Sequence, residues 1–387
     1  MTSNFVSIAK APKNVFGKSL NIDDSRIRVL TNKVAVPKTA KASEGCVLYS
    51  MHRDQRVQDN WAMIAAADLA KSKEVPLKVV FGCFDSFGDM SIRQFTFMIE
   101  GLKEVETELV SLGVPFEVVV GDPGEEVSKH AAKVEALAVV TDSMPLRRVQ
   151  AWNNVLARNL DESGVPLYEV DAANIIPVWV ASDKAEIGAR TLRPKVNRLY
   201  SKYLTSFPKL DGSVNPPSTV LPKQVDWKAV LAGLSPSVDR SVGVDVPHKP
   251  GKAAGMEVFR KFCDERIKNY SAERNDPNKN GLSGMSPYIR FGQVGFQTLA
   301  VAVSKLKASR EGVATFIEEG VVRRELSDNF CFYNPLYDSL SGAYPWARES
   351  LELHSSDPRE YTYSRDELEE AKTHDDLWNA AQLQLVR

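Results

Sequence analysis

GLSGMSPY, from Gly281 to Tyr288, decides how the second half of this 387-residue chain is organised. Ser286 followed by Pro287 is typical of a helix start, because serine can cap a free backbone N–H and proline suits the first turn. Just before them, the small residues Ser283 and Gly284 would let a ligand approach the backbone. Free N–H groups and spare hydroxyls favour a phosphate ligand, but a loop that caps an ordinary helix has the same pattern.

A second decisive segment, FIEEGVVRRELSDNF from Phe316 to Phe330, continues a helical pattern that begins at Ala314. One face of the predicted helix carries Glu319, Arg323, Leu326 and Phe330. Glu319 and Arg323 are four residues apart, so an ion pair between them is expected. Such a pair is usually solvated, but the many large apolar residues here allow these charges to line a cleft. Gly320 is expected to weaken the helix by about 1 kcal/mol relative to alanine.

The first half of the chain alternates short apolar runs with amphipathic segments. The predicted strands are Val47–Met51, Leu77–Phe84, Phe116–Val120, Ala136–Thr141 and Leu167–Val170. The predicted helices between them are Asn60–Lys71, Ser91–Leu112, Pro123–Lys133 and Arg147–Ser163. This order predicts an α/β domain at residues 45–175 with a doubly wound parallel sheet of the Rossmann-like type.

The first strand–helix turn, from Ser50 to Arg56, contains no glycine and no GxGxxG pattern. This absence argues against nicotinamide binding at the turn. Arg53 and Asp54 are as well explained by a structural salt bridge as by a chemical role.

The second half becomes helical after a connecting region. Residues 176–254 are predicted as a linker, first basic and then rich in proline, serine and glycine. The predicted helices after it are Gly255–Asn269, Pro287–Lys305, Ala314–Tyr333, Ala343–His354, Arg365–Lys372 and Asp376–Arg387. Residues 1–44 are predicted as a tail. For the first 28 residues, which carry Lys10, Lys13 and Lys18, disorder is favoured over an organellar presequence.

Composition excludes several classes of protein. The formal net charge is −1, so binding to DNA would need a local basic patch rather than a basic protein. The four cysteines form no CxxC pair and the five histidines have no metal-binding spacing, so no metal site is expected. No apolar run approaches the roughly 20 residues needed to cross a membrane. We expect an intracellular protein, in the nucleus or cytoplasm, with an organelle as the alternative.

Three further segments extend these patterns to a known family. They are MHRDQRVQDNW at Met51–Trp61, ARTLRPK at Ala189–Lys195 and THDDLWNAAQ at Thr373–Gln382. Together with the segments above, they resemble the photolyase/cryptochrome family, and most of all the class II cyclobutane pyrimidine dimer photolyases. The resemblance runs from about Cys46 to the last residue. It implies that residues 255–387 belong to an all-α domain that binds FAD.

The resemblance also implies roles for individual residues. Those that match the flavin-binding positions of the family are Tyr270, Leu282, Ser283, Gly284, Met285 and Ser286. Glu319 matches the acidic residue at the DNA lesion, and Trp378 matches one tryptophan of an electron-relay chain. Arg274, Arg323 and Arg324 are candidates for contact with DNA phosphates, with some of them expected to pair with Glu273 or Glu325. The implied partner is UV-damaged DNA, the protein is expected to be a monomer, and an antenna chromophore of unspecified identity is a further expectation.

The pattern departs from the family in two places. The sequence stops at Arg387, where class II photolyases continue, so we expect an incomplete helical domain with exposed apolar faces. Gly320 replaces the bulkier residue usual after the acid, which indicates relaxed constraint. The favoured function is light-driven repair of pyrimidine dimers by reduced FAD, as a whole or truncated product. The alternatives are a cryptochrome-like flavoprotein without repair activity and a cofactor-free binding protein.

Overall fold

A computed structural model describes residues 9–10, 21–32, 45–88, 90–212, 214–215, 219–244, 248–307 and 309–386. The chain forms two compact units, Met1–Asn334 and Pro335–Arg387. The α/β part and most of the predicted helical part therefore share one unit. The division into four regions at residues 44, 175 and 254 stays a prediction.

The first unit contains a seven-stranded sheet among its described residues. Its strands are Ala9–Lys10 (β1), Ile27–Val29 (β2), Cys46–Met51 (β3), Leu77–Cys83 (β4), Phe116–Val120 (β5), Ala136–Asp142 (β6) and Leu167–Val170 (β7). They lie in the order β1-β2-β7-β6-β3-β4-β5. The five strands from β7 to β5 are parallel, and β1 and β2 extend the sheet in antiparallel fashion. The predicted doubly wound parallel sheet is confirmed.

Helices cover both faces of this sheet and continue beyond it. The α-helices of the first unit are Trp61–Lys73, Ile92–Ser111, Pro123–Lys133, Arg147–Glu162, Val178–Ala181, Ala189–Tyr203, Trp227–Ala232, Lys252–Glu265, Tyr270–Glu273, Ser286–Arg290, Phe296–Val303, Arg310–Ile317 and Arg324–Tyr333. Successive residues of a strand face opposite sides of the sheet. In β3, Tyr49 belongs to the larger apolar cluster on one side, and Leu48 belongs to the cluster with Val127 and Leu156 on the other.

The carboxyl edge of the sheet is held by a buried carboxylate. Asp142, at the end of β6, accepts hydrogen bonds from the Tyr49 hydroxyl at 2.6 Å and from the backbone N–H groups of His52 at 2.8 Å and Arg53 at 3.0 Å. These bonds fix the first strand–helix turn. Asn60 then caps the following helix by accepting from two backbone N–H groups. The turn is therefore a rigid platform at the edge where parallel sheets usually bind ligands.

Part of the region predicted as a tail is built into the sheet. Arg26 is only 2% exposed and donates to the backbone carbonyl oxygens of Asp171, Asn174 and Ile175. β2, which follows it, pairs with β7 along the sheet. The prediction of a disordered tail over the first 28 residues is therefore wrong for residues 21–28. Lys13 and Lys18, on which the presequence alternative depends, lie outside the described residues.

Two helical predictions of the second half also need correction. Ala189–Tyr203 is a helix inside the predicted linker, although it contains Pro194, which removes a backbone donor and disfavours a helix interior. The single helix predicted over Pro287–Lys305 is two helices, Ser286–Arg290 and Phe296–Val303. Gly292 lies in the break with φ 63°, and a Cβ there would lie 2.1 Å from the carbonyl oxygen of Arg53. The break lets the chain pass against the first strand–helix turn.

The second unit contains the helices Pro345–Leu353, Arg365–Glu369 and Asp376–Val386. Several of its large apolar side chains are exposed, among them Trp346 at 67% and Leu353 at 72%. The expected exposed apolar side chains are therefore present in this unit. Across the described ranges, no helix is long and apolar enough to cross a membrane.

Candidate functional site

The first unit contains a cavity of about 520 Å³ at the carboxyl edge of the sheet. Its wall is formed by the turn at Arg53, the loop at Met144–Leu146, the segment from Ser283 to Phe296 and the helical run from Phe316 to Cys331. Six residues predicted from the sequence line it, namely Tyr270, Ser283, Met285, Ser286, Glu319 and Arg324. The segments from Gly281 to Tyr288 and from Phe316 to Phe330 thus meet across one cavity.

The other predicted residues are not among those that line the cavity. Leu282 is 61% exposed, and Gly284 has φ 73°, a left-handed conformation that favours glycine. Arg274 and Arg323 lie outside the lining, where Arg274 pairs with the lining residue Glu319 and Arg323 pairs with Glu318. Trp378 belongs to the second unit and is 49% exposed.

The serine loop starts its helix differently from the prediction. Ser286 is the first helical residue of Ser286–Arg290 and does not act as the cap, because Met285 occupies the cap position without a side-chain bond. The N–H of Met285 lies 3.4 Å from the Ser283 hydroxyl. The hydroxyls of Ser283 and Ser286 therefore remain at the cavity wall as hydrogen-bonding groups.

The helix predicted over Ala314–Phe330 is present as a longer run whose winding changes in the middle. Arg310–Ile317 and Arg324–Tyr333 are α-helical, and Glu318–Arg323 between them is a π-helix. A π-helix bonds residues five apart instead of four, and such turns are frequent at functional sites. The winding therefore changes which side chains of this run are neighbours.

The ion pairs around the π-helical turn differ from those expected for an α-helix. Arg323 Nε lies 3.4 Å from Oε1 of Glu318, five residues away, and the expected pair between Arg323 and Glu319 is wrong. Glu319 instead has its Oε1 atom 3.4 Å from Nη1 of Arg274. Arg193 binds Glu318 through two nitrogens, at 2.7 and 3.0 Å. As a result the Glu319 carboxylate, about one-third exposed, lies at the cavity wall.

Aromatic side chains form one side of the cavity. Tyr270 is 7% exposed and packs edge-on against Phe316, with ring centroids 5.9 Å apart. Phe316 in turn packs against Phe296, with ring centroids 5.2 Å apart and the rings tilted by 34°. Burial raises the pKa of the Tyr270 phenol, and the nearby Glu319 carboxylate raises it further. Tyr270 therefore stays a neutral aromatic surface at physiological pH.

Two arginines of the cavity wall, Arg324 and Arg53, form hydrogen bonds or ion pairs with other groups of the protein. Arg324 donates from Nε to the carbonyl oxygen of Gly320 at 2.9 Å and from Nη2 to that of Ala173 at 3.0 Å. Its Nη2 also lies 3.5 Å from Oε1 of Glu325, so the contact expected between these neighbours is present. Arg53 pairs with Asp328 at 2.9 Å. These contacts join the helical run to the edge of the sheet.

Several residues of the wall were not predicted as site residues from the sequence. Those with charged, hydroxyl or aromatic side chains are Arg53, Asp54, Arg56, Arg290, Phe296, Phe316, Ser327 and Asp328. A structural salt bridge is one of the two alternatives left open for Arg53, and Arg53 forms one with Asp328, 275 positions away in the sequence. Only the MHRDQRVQDNW pattern pointed to this turn. Within the described residues there is no cluster of three or more potential metal ligands.

A buried carboxyl group lies behind the wall. Glu325 is 3% exposed, accepts from the N–H of Ile175 at 2.7 Å and has no hydrogen-bond partner for Oε2 in the described structure. Burial raises the pKa of Glu325 from 4.5 to about 8, a shift that the Arg324 charge opposes and the neighbouring Asp171 and Asp328 charges reinforce. Glu325 therefore keeps its proton at neutral pH.

Glu325→Gln is expected to gain stability relative to the parent protein as the pH rises. The unfolded carboxyl releases its proton near 4.5 and the folded one near 8, so in that window rising pH destabilises the parent protein. The unfolding free energy of Glu325→Gln minus that of the parent protein should grow from pH 5 to 8 and stay constant above pH 8. Urea titrations at each pH would measure it. The control is Glu318→Gln, because Arg193 holds the pKa of Glu318 below its usual value. A pH-independent difference for Glu325→Gln would refute the assignment.

The chain is similar in sequence to known proteins. The family model DNA photolyase matches residues 47–212. A deoxyribodipyrimidine photo-lyase of Arabidopsis thaliana is 42% identical over 381 residues, which are 95% of this chain and 75% of that protein. The protein of the same name from Potorous tridactylus is 42% identical over 364 residues, which are 94% of this chain and 67% of that protein.

A solved structure supports the same fold. The crystal structure of an archaeal photolyase from Sulfolobus tokodaii, with two FAD molecules and an implied light-harvesting cofactor, superimposes with a TM-score of 0.60. The match covers 88% of this chain and 70% of that one at 16% sequence identity. At this identity the similarity is one of fold.

Proposed function

This chain belongs to the DNA photolyase family, and we propose that it repairs cyclobutane pyrimidine dimers in DNA by light-driven electron transfer from reduced FAD. The observation that carries the proposal is the cavity in which Glu319, Tyr270 and the serine loop meet. It combines an aromatic wall, hydroxyl groups and one partly exposed carboxylate. That combination suits a bound aromatic cofactor with a reacting base beside it.

The cavity fits a flavin dinucleotide in size and in chemistry. Its volume of about 520 Å³ lies within the ~300–1,000 Å³ typical of cofactor sites. Ser283 and Ser286 would hold the diphosphate, and Tyr270 and Met285 would pack against the rings. Asp54, also in the wall, is 2% exposed and its Oδ2 has no partner within the described structure, so it offers an acceptor to a ligand donor. When bound, reduced FAD supplies the excited electron that splits the dimer.

Glu319 is proposed to act on the lesion itself. Its carboxyl lies at the wall, beside Arg274, where a base displaced from the DNA stack could reach it. There, with its carboxyl protonated, it would donate a hydrogen bond or the proton itself to a pyrimidine carbonyl oxygen as negative charge develops on the base. Arg274 would keep the carboxyl in place through the 3.4 Å contact.

The three arginines proposed to bind DNA phosphates differ in their surroundings. The Arg323 side chain is 55% exposed, which suits a phosphate contact. The Arg274 side chain is 28% exposed and shared with Glu319. The Arg324 side chain is 19% exposed, with its donors directed at backbone carbonyls. We therefore propose Arg323 and Arg274 as the main phosphate contacts, with Arg324 secondary.

Trp378 is proposed as one member of an electron relay.

An antenna chromophore is proposed at a second place on the carboxyl edge. Two small cavities of about 30 and 10 Å³ share His52 and Trp152. Four buried polar atoms around them have no hydrogen-bond partner within the described ranges, namely His52 Nδ1 and Nε2, Gln55 Oε1 and Asn153 Nδ2. Phe84 stacks on Trp152 at 5.5 Å and closes the space. An aromatic chromophore would enter by displacing this cover.

The proposal is tested by purifying residues 1–387, recording the visible absorption, and measuring the flavin released on denaturation. We expect near-stoichiometric FAD, light-dependent loss of dimers from UV-irradiated DNA and no loss in the dark. Absorption beyond that of the flavin would support the antenna. A flavin-loaded protein without light-dependent repair would overturn the proposal in favour of a cryptochrome-like flavoprotein. A colourless protein would favour a cofactor-free binding protein. The monomeric state is tested on the same sample by light scattering.

A further inference from the structure

Gly320, in the middle of the π-helical turn Glu318–Arg323, faces the ring of Phe296. A Cβ atom at Gly320 would lie 1.7 Å from Cζ and 1.9 Å from Cε2 of that ring. Phe296 is 3% exposed and packs against Phe316 with ring centroids 5.2 Å apart, so its ring has little freedom to withdraw. The space that a larger residue would occupy after Glu319 is therefore filled by an aromatic ring, and the glycine is not a sign of loose packing.

Arg324 adds a second contact at the same point. Its Nε donates to the Gly320 carbonyl at 2.9 Å, and its Nη2 donates to the Ala173 carbonyl at 3.0 Å. Its guanidinium carbon lies 5.8 Å from the centre of the Phe296 ring. One side chain thus joins the backbone of the π-helical turn to the ring above it and to the loop after β7.

The direction of Glu319 depends on this turn. Successive residues of an α-helix are rotated by about 100°, and a π-helix, with its wider turn, rotates them less. If the turn relaxed to α-helical winding, Glu319 would rotate relative to the flanking helices. Its 3.4 Å contact with Arg274 and its place at the cavity wall would then be lost.

We propose that Phe296, Gly320 and Arg324 position Glu319 by holding the π-helical turn, so that its carboxylate points into the cavity. The proposal rests on the role proposed above for Glu319. In it, Gly320 and Phe296 are positioning residues that act through Glu319. A residue that merely fills space would influence stability but not the direction of the carboxylate.

Gly320→Ala tests the contact without any DNA chemistry. In an ordinary helix this change slows amide exchange, because alanine is the better helix former. If the ring fills the site, the clash should instead speed hydrogen–deuterium exchange over residues 318–324 by about tenfold or more. The double variant Gly320→Ala/Phe296→Leu should restore slow exchange. The matched control is Phe259→Leu, in the same aromatic cluster at 6.1 Å from Phe316, which should not restore it. Unchanged or slower exchange in Gly320→Ala would overturn the proposal.

Repair in the Glu319→Ala background separates positioning from general damage. Alone, Gly320→Ala should lower the number of dimers repaired per absorbed photon about as much as Glu319→Ala does. Combined with Glu319→Ala it should cause no further loss, because both changes remove one function. Losses that add would overturn the positioning role. If the parent protein shows no repair, the proposed function fails, and the exchange measurements still decide whether Phe296 holds the turn.

Discussion

Arg56→Met is expected to destabilise the first unit by about 3–5 kcal/mol, since one charge of a buried ion pair would be left without its partner. The Arg56 and Asp54 side chains are 1% and 2% exposed, with Nη1 and Oδ1 2.6 Å apart. Arg56 also donates to the carbonyl oxygens of Asp59 at 2.9 Å and Gly292 at 2.9 Å. Its removal would therefore loosen the contact between the first strand–helix turn and the helical part.

Denaturant unfolding of Arg56→Met would measure this loss, with Arg260→Met as the matched control. Arg260 likewise forms ion pairs, in its case with Glu257 and Asp264, but its side chain is 60% exposed. Exposed pairs contribute about 1 kcal/mol or less, so the control should remain close to the parent protein. If Arg56→Met does not fold, Arg56→Met/Asp54→Leu should recover folded protein, because the unpaired carboxylate is then absent. Equal effects at Arg56 and Arg260 would refute the assignment.

Glu319→Ala is expected to lower the number of dimers repaired per absorbed photon by about tenfold, because a hydrogen bond to a charged group contributes ~1.5–3 kcal/mol. The carboxylate lies at the cavity wall beside Tyr270 and Arg274, where the lesion is proposed to bind. Flavin content should remain near that of the parent protein, since this side chain is not among the proposed cofactor contacts. Quantitative photolysis of dimer-containing DNA would measure the loss.

The neighbouring Glu318 provides a matched control for this experiment. Its carboxylate binds Arg193 and Arg323 and is not among the residues that line the cavity. Glu318→Ala should therefore repair dimers almost as well as the parent protein. Glu319→Gln, which keeps hydrogen bonding but cannot donate a proton as an acid, should fall between the parent and Glu319→Ala. Equal losses from Glu318→Ala and Glu319→Ala would contradict the assignment.

Local chemistry explains why much of the α/β part was predictable. Asn60 was placed at the start of a helix, and its side chain accepts from the N–H groups of Ala62 and Met63. The apolar run of Cys46–Met51 is buried along its whole length, as expected for a central parallel strand. Patterns of this kind need only residues within one or two turns of each other, so they can be read along the chain.

The site was predictable only in part, because several of its contacts join distant segments. Tyr270, Ser283 and Glu319 were found through the resemblance, and all three line one cavity. Their partners were not found in the same way. Arg53 belongs to the first strand–helix turn, yet it meets Asp328 in the last helix of the unit. Nothing near either residue in the sequence signals that pairing.

The sequence by itself determined the order of strands and helices in the α/β domain and the family, and it suggested the residues proposed for the chemistry, because periodicity, caps and motifs are local properties. Only the tertiary structure decided where Glu319 points. The π-helical turn replaces its expected partner Arg323 with Arg274, and the ring of Phe296 occupies the space beside Gly320. The physical reason is that a winding change depends on the side chains packed against the helix, and those come from segments far away in the sequence.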